Sequence, residues 1–155
     1  MKKEMRMEFD ALSENEGFAR VAVAAFLTPL NPTLEEVEDV KTAVSEAVTN
    51  CIIHGYGPGY EEKEMEETPK IYIHSVIEGD RVFIEIKDEG IGIENVKQAM
   101  EPLFTSKPEL ERSGMGFAFM EAFMDELFVE STPFKGTLVR MEKQCGHISE
   151  KANEE

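Results

Sequence analysis

Apolar residues recur along this chain with two periods, and the places where one period gives way to the other divide it into elements. Met5, Met7, Phe9 and Ala11 alternate with polar neighbours and predict a first strand over residues 4–12. Ser13 and Glu16 stand at capping-box spacing, so a helix is predicted from there to Leu27, stopped by Pro29. Thr33 and Glu36 repeat that spacing and open a second helix, on which Leu34, Val37, Val40, Val44, Ala47, Val48 and Cys51 build one apolar stripe. Residues 55–69, rich in Gly, Pro and Glu, read as an exposed loop. Alternation returns at residues 71–77 and 82–87, a hairpin around Glu78-Gly79-Asp80-Arg81. A short helix is predicted over residues 95–100, and a further helix is marked by Phe117, Met120, Met124 and Leu127. Residues 127–131 and 136–141 form a last hairpin, and residues 143–155 read as a polar, loose tail. The order βααββααββ predicts one α+β domain over residues 1–142: a two-layer α/β sandwich, its sheet mixed but mostly antiparallel, with helices on one face.

Some polar residues do not fit a merely solvated role within that pattern. Val82, Ile84, Ile86 and Asp88 share a strand face, so a carboxylate ends an apolar row at the lip of the core. Burying it costs several kcal/mol, on the order of 2–7 for an unpaired polar group, unless it is hydrogen-bonded. Gly90 and Gly92 follow directly and let a second group approach the backbone. Asp-x-Gly is equally ordinary turn chemistry, so this stretch alone leaves both readings open. On the second helix Glu46, Asn50 and His54 line up at i, i+4 and i+8, away from the apolar stripe; such rows are most often solvated. Residues 103–113 have no periodicity and are long for a connection, as lids are. They lead to Ser113-Gly114-Met115-Gly116-Phe117, where two glycines at a helix start can turn N–H groups toward an anion or simply provide flexibility. Arg20 lies among apolar residues of the first helix, where an arginine commonly extends its head into solvent.

Composition narrows the options. A net charge of −16 over 155 residues argues against direct nucleic-acid binding and favours protein partners with basic patches. It leaves room for a nucleotide, provided Mg²⁺ and a few cations offset the phosphates. Cys51 and Cys145 make neither a disulfide framework nor a metal motif, in keeping with a reducing cytoplasm. The apolar run at residues 21–27 is too short to span a bilayer and poorly placed for a signal peptide, so no membrane association is expected.

Taken in order, Glu46-x-x-x-Asn50-x-x-x-His54, Asp88-x-Gly90-x-Gly92 and Gly114-x-Gly116-Phe117 resemble the N, G1 and G2 boxes of the Bergerat ATP-binding fold shared by gyrase, Hsp90, histidine kinases and MutL. Walker-type and dinucleotide fingerprints are absent from the sequence. The match is closer still for Ser45-Glu46-Ala47-Val48-Thr49-Asn50, for Ile53-His54-Gly55-Tyr56, for residues 102–117 and for the opening from Met7 to Arg20. These are similar to the anti-sigma F factors of sporulation, over about residues 1–142, with residues 58–68 looking like an insertion.

That resemblance implies a cytoplasmic homodimer using ATP and Mg²⁺, with two protein partners. It would hold sigma factor F inactive and phosphorylate a serine of the anti-anti-sigma factor, stage II protein AA. Glu46 would be the general base and Asn50 the Mg²⁺ ligand. Asp88 would accept from the adenine amino group, with Gly90 and Gly92 leaving room for the ring. Gly114, Met115, Gly116 and Phe117 would meet the phosphates together with Thr105, Ser106 and Lys107, either Lys107 or Arg112 offsetting the terminal charge. Arg20, Glu111 and Arg112 match positions that dock the partners. A sensor histidine kinase would need a phosphoacceptor on a separate helix, which His54, His74 and His147 do not offer, and a clamp ATPase would need a transducer domain. The remaining alternative is an ATP-gated module that sequesters a transcription factor without turnover. Glu46 disfavours it, because binding alone needs no base.

Overall fold

The computed structural model describes residues 2–60, 68–101 and 116–146. Five strands, β1 (Lys2–Asp10), β2 (Lys70–Glu78), β3 (Arg81–Asp88), β4 (Glu126–Thr132) and β5 (Gly136–Gln144), form one sheet in the order β1-β2-β3-β5-β4. Each neighbouring pair is antiparallel, so the mixed component expected of the sheet is not found: β3 and β5 become neighbours through a long excursion that returns the chain in the opposite sense. Helices α1 (Glu14–Phe26), α2 (Leu34–Asn50) and α4 (Gly116–Phe123) pack side by side, α1 on α2 and α2 on α4, while the short α3 (Val96–Ala99) lies by β4.

Strand alternation explains why one sheet face is covered. Ile71, Ile73 and Ile77 on β2, Val82, Ile84 and Ile86 on β3, and Val139 and Met141 on β5 meet Ala19 and Val23 of α1, Val40, Val44 and Val48 of α2, and Met120 of α4 in a common core. Each fully buried aliphatic side chain contributes about 1.5–3 kcal/mol. Ser75 occupies the same face of β2, fully buried, with no partner for its hydroxyl among the described residues.

The capping box at Thr33 forms as predicted: Thr33 Oγ1 accepts from the Glu36 amide at 3.1 Å and the Glu36 carboxylate accepts from the Thr33 amide at 2.8 Å. The one predicted at Ser13 does not. Ser13 itself has helical dihedrals and its side chain makes no cap, while Asn15 Nδ2 ties the helix start to the Asp10 carbonyl at 2.8 Å. Leu34 is 85% exposed, because at the first position of α2 it precedes the part of the stripe that packs. Leu127 belongs to β4, and the helix before it ends at Phe123.

The start of the tail, expected to be loose, is tied down. β5 runs to Gln144, two residues past the expected domain edge, and Cys145 is buried. Lys143 Nζ donates to the Phe123 carbonyl at 2.8 Å, and the Gly146 amide donates to the Glu36 carboxylate at 3.2 Å. Residues 147–155 of the predicted tail lie outside the described residues. The second helix, expected to carry Cys51 and His54 on an α-helical path, leaves that path after Asn50: it continues as a wider π-helical turn, Cys51–Gly55, closed by the Tyr56 amide on the Cys51 carbonyl at 2.9 Å. Among the described residues no helix is long and apolar enough to cross a membrane.

Candidate active site

A cavity of about 790 Å³ opens between α2, α4 and the C-terminal end of β3, within the range of small-molecule sites. Asp88 stands at its floor, only 3% exposed, where strand parity predicts it. One carboxylate oxygen accepts from the Gly90 amide at 2.9 Å, so the ordinary turn geometry is also present. Burial pushes its pKa up, against the pull of the Gly90 amide, the Cys51 thiol and the Thr137 amide. Cys51 is itself held protonated, first by burial and then by the neighbouring Asp88 charge, so it can serve as a donor.

The segment after Asp88 is fastened from both sides. The Glu89 amide donates to Tyr56 Oη at 2.6 Å and the Ile91 amide to the Gly55 carbonyl at 2.9 Å. On the opposite side the Phe134 amide donates to the Ile91 carbonyl at 2.6 Å, and Ile93 donates to Ser131 Oγ at 2.7 Å. The glycines serve this packing. A Cβ on Gly90 would overlap the Gly55 carbonyl, and one on Gly92, whose φ is 75°, would overlap the Thr132 carbonyl. Both therefore admit backbone against backbone, where the sequence reading had them make room for a ring. Gly55 is equally constrained, since its Cβ would fall 2.8 Å from the Asp88 carboxylate.

Asn50, at the last position of α2, lines the opposite end of the cavity with Gly116 and Phe117 of α4. A Cβ on Gly116 would lie 3.1 Å from the Asn50 side-chain amide, so a small residue there lets the start of α4 approach it closely. Glu46, half-buried one helical turn earlier, is not among the residues that line the cavity; it sits beyond Asn50 on the same helix face. His54 lines the cavity from the π-helical turn, off the straight α-helical row that the i+8 spacing assumed. Arg20 faces solvent on α1, 3.6 Å from Glu16 and flanked by the exposed Phe18 and Val21. Thr105, Ser106, Lys107, Glu111, Arg112, Gly114 and Met115 lie outside the described residues.

Gly55, Tyr56, Ser131 and Thr137 are the contributors that periodicity did not single out, and Cys51, placed by it on the apolar stripe, also faces Asp88. A signal existed for one of them: Gly55 continues the buried row of Ala47 and Cys51 at four-residue steps, an odd place for a glycine unless something presses on it.

The geometry fits a nucleotide, with a buried acceptor at one end and a neutral side-chain amide beside a glycine of α4 at the other. Known proteins agree. The family model for the histidine kinase-like ATPase domain matches residues 9–143. The anti-sigma F factor of Oceanobacillus iheyensis is 56% identical over 93% of this chain and 94% of its own length. Those of Clostridium perfringens and Bacillus subtilis are 57% and 52% identical, over 98% and 95% of their lengths. The chain belongs to the anti-sigma F factor family. Among solved structures, the RsbU and RsbW domains of Rv1364c from Mycobacterium tuberculosis match 92% of this chain with a TM-score of 0.62 at 17% identity, covering 32% of that protein. The catalytic domain of the histidine kinase ThkA matches with a TM-score of 0.53 at 16% identity, over 92% of this chain and 97% of its own. These two share the fold. The anti-sigma F family thus places an ATP-using, kinase-like ATPase domain on this α+β frame.

Proposed function

We propose that this anti-sigma F family member binds and inhibits the sporulation sigma factor F in an ATP-dependent way, and phosphorylates a serine of its anti-anti-sigma antagonist. The observation that carries the reading is the pairing of a buried Asp88 with Asn50 and Gly116 across one cavity, in a chain more than half identical to anti-sigma F factors along nearly its whole length. Asp88 accepts from the adenine amino group. Asn50 would hold Mg²⁺ through its side-chain oxygen, with phosphates and water as the other ligands. Bound Mg²⁺-ATP supplies the phosphoryl group. Gly116, with Gly114, Met115 and Phe117, aligns the helix start on the phosphates, with Thr105, Ser106 and Lys107 or Arg112 beside them.

Glu46, one turn from Asn50, takes the proton from the incoming serine hydroxyl. Phosphoryl transfer depends mainly on positioning and electrostatics, so a base held one turn from the metal ligand is what the chemistry requires. Arg20 on the exposed face of α1 docks the protein partners with Glu111 and Arg112, its apolar neighbours Phe18 and Val21 supplying contact area. The protein works as a cytoplasmic homodimer, and its charge of −16 disfavours any contact with nucleic acid. His54 in the π-helical turn and His74 on the sheet, 2.9 Å from Glu4, are not placed as phosphoacceptors on a separate helix.

The test incubates the protein with labelled ATP, Mg²⁺ and the purified antagonist, beside Glu46→Gln. Label on the antagonist that disappears with Glu46→Gln supports the kinase. Nucleotide-dependent capture of sigma factor F with no label transferred would establish the non-catalytic, ATP-gated module instead.

A further inference from the structure

The Tyr56 phenol joins three parts of the chain through a single oxygen. Its hydroxyl donates to the Lys70 carbonyl at the start of β2 at 2.7 Å and accepts from the Glu89 amide at 2.6 Å. Glu89 immediately follows Asp88, and the next amide, Gly90, is the one that grips the Asp88 carboxylate. The ring is half-buried at the end of the π-helical turn, and Tyr60 packs edge-on against it with centroids 4.9 Å apart. Burial and the neighbouring carboxylates raise the phenol's pKa, so the proton that bonds Lys70 stays in place. Donating and accepting roles are both fixed, which a phenylalanine ring of the same shape could not reproduce.

We propose that Tyr56 is a positioning residue for adenine: it sets the angle at which the Asp88 carboxylate meets the base, and so the preference for adenine over guanine. The inference rests on the assignment of Asp88 to the adenine amino group. Without the phenol the Glu89 amide loses its fixed partner, the turn at 88–90 relaxes, and the carboxylate is no longer held against the Gly55 face. Binding at the phosphate end, which uses α2 and α4, is untouched because neither hydrogen bond of Tyr56 reaches those helices.

Tyr56→Phe tests this, with dissociation constants for ATP and GTP and for inorganic tripolyphosphate, steady-state kinetics with the antagonist, and amide exchange at Glu89. The expected result is an ATP dissociation constant raised about tenfold, as the loss of one hydrogen bond implies. The ATP-to-GTP preference falls by the same factor, tripolyphosphate binding stays unchanged, KM for ATP rises while kcat holds, and Glu89 exchange accelerates. Equal weakening of ATP and tripolyphosphate, or an unchanged ATP-to-GTP ratio, would overturn the proposal by showing a general structural role. Asp88→Asn is measured alongside. If it weakens ATP and Tyr56→Phe does not, only the role of Tyr56 is lost. If Asp88→Asn leaves ATP binding unchanged, the adenine assignment falls and the proposal with it.

Discussion

The two ends of the cavity are built differently. At the base end the chain from Asp88 to Ile93 is fixed through its own backbone, by Tyr56 and Gly55 on one side and by Ser131 and Phe134 on the other. At the end proposed to face the phosphates the contributors are Asn50, a half-buried side chain projecting from a helix, and Gly116 of another, with Glu46 one turn behind Asn50 and outside the lining. Backbone fastening fixes position at little cost in side-chain entropy, whereas a group carried at the end of a helical side chain adds that side chain's own rotamer entropy to the cost of placing it. On the proposed roles, the base is read by a surface set by the main chain and the phosphates are met by side chains.

Glu46→Gln breaks this contrast most severely. Antagonist phosphorylation is expected to fall by about 10²- to 10⁴-fold, while ATP affinity stays within about twofold; parallel losses in both would move Glu46 into the binding set. Asp88→Asn comes next, weakening ATP by about 10- to 100-fold through a charge-assisted hydrogen bond lost at a desolvated site, read by calorimetric titration.

The same residue fixes a pH dependence. Its folded pKa lies above the unfolded value of about 3.9. The folded chain thus holds this proton more tightly, and the associated stability, fully present below that value, is lost as pH rises through the folded pKa. On the proposed adenine role of Asp88, ATP affinity is expected to run the other way and fall as pH drops through the same window, because that role uses the ionised carboxylate. Asp88→Asn should abolish that portion of the pH profile.

Gly90→Ala sharpens the comparison through stability. The new methyl meets the Gly55 carbonyl, so unfolding in urea should show a loss of about 1–3 kcal/mol. Ser75→Ala is the smallest change and the control away from either end. Removing a buried hydroxyl without a partner should raise stability by about 1 kcal/mol and the Tm by about 2–4 °C, with ATP affinity unaltered.

Most of the frame was legible in sequence because each element obeys a single period. β3 shows this best: the alternation that buries Val82, Ile84 and Ile86 also delivers Asp88 to the cavity. The Thr33–Glu36 cap and the stripe from Val40 to Val48 follow equally local rules. What escaped depends on tertiary contact. Ser13 has the right neighbours for a cap, yet its backbone is already helical, so its hydroxyl faces no free amide that it could bond. The roles of Tyr56 and Gly55 were hidden because the helical period gives way at residue 55 to a glycine-rich sequence that reads as a loop. Gly90 and Gly92 were noticed for the right reason, close approach, but what approaches them is the protein's own backbone.

The π-helical turn from Cys51 to Gly55 also acts as a joint between two separately adjustable modules. Upstream, the regular α-helix holds Glu46 and Asn50 one turn apart, the spacing that the proposed base and metal ligand require. Downstream, the widened turn takes up the extra length needed to seat Gly55 under Asp88. Shortening the chain by one residue within that turn would restore an α-helical path and swing Gly55 and Tyr56 away from the base, leaving Glu46 and Asn50 where they are. On the proposed roles, the base end would thereby be adjustable without moving the phosphoryl-transfer end, through changes confined to five residues.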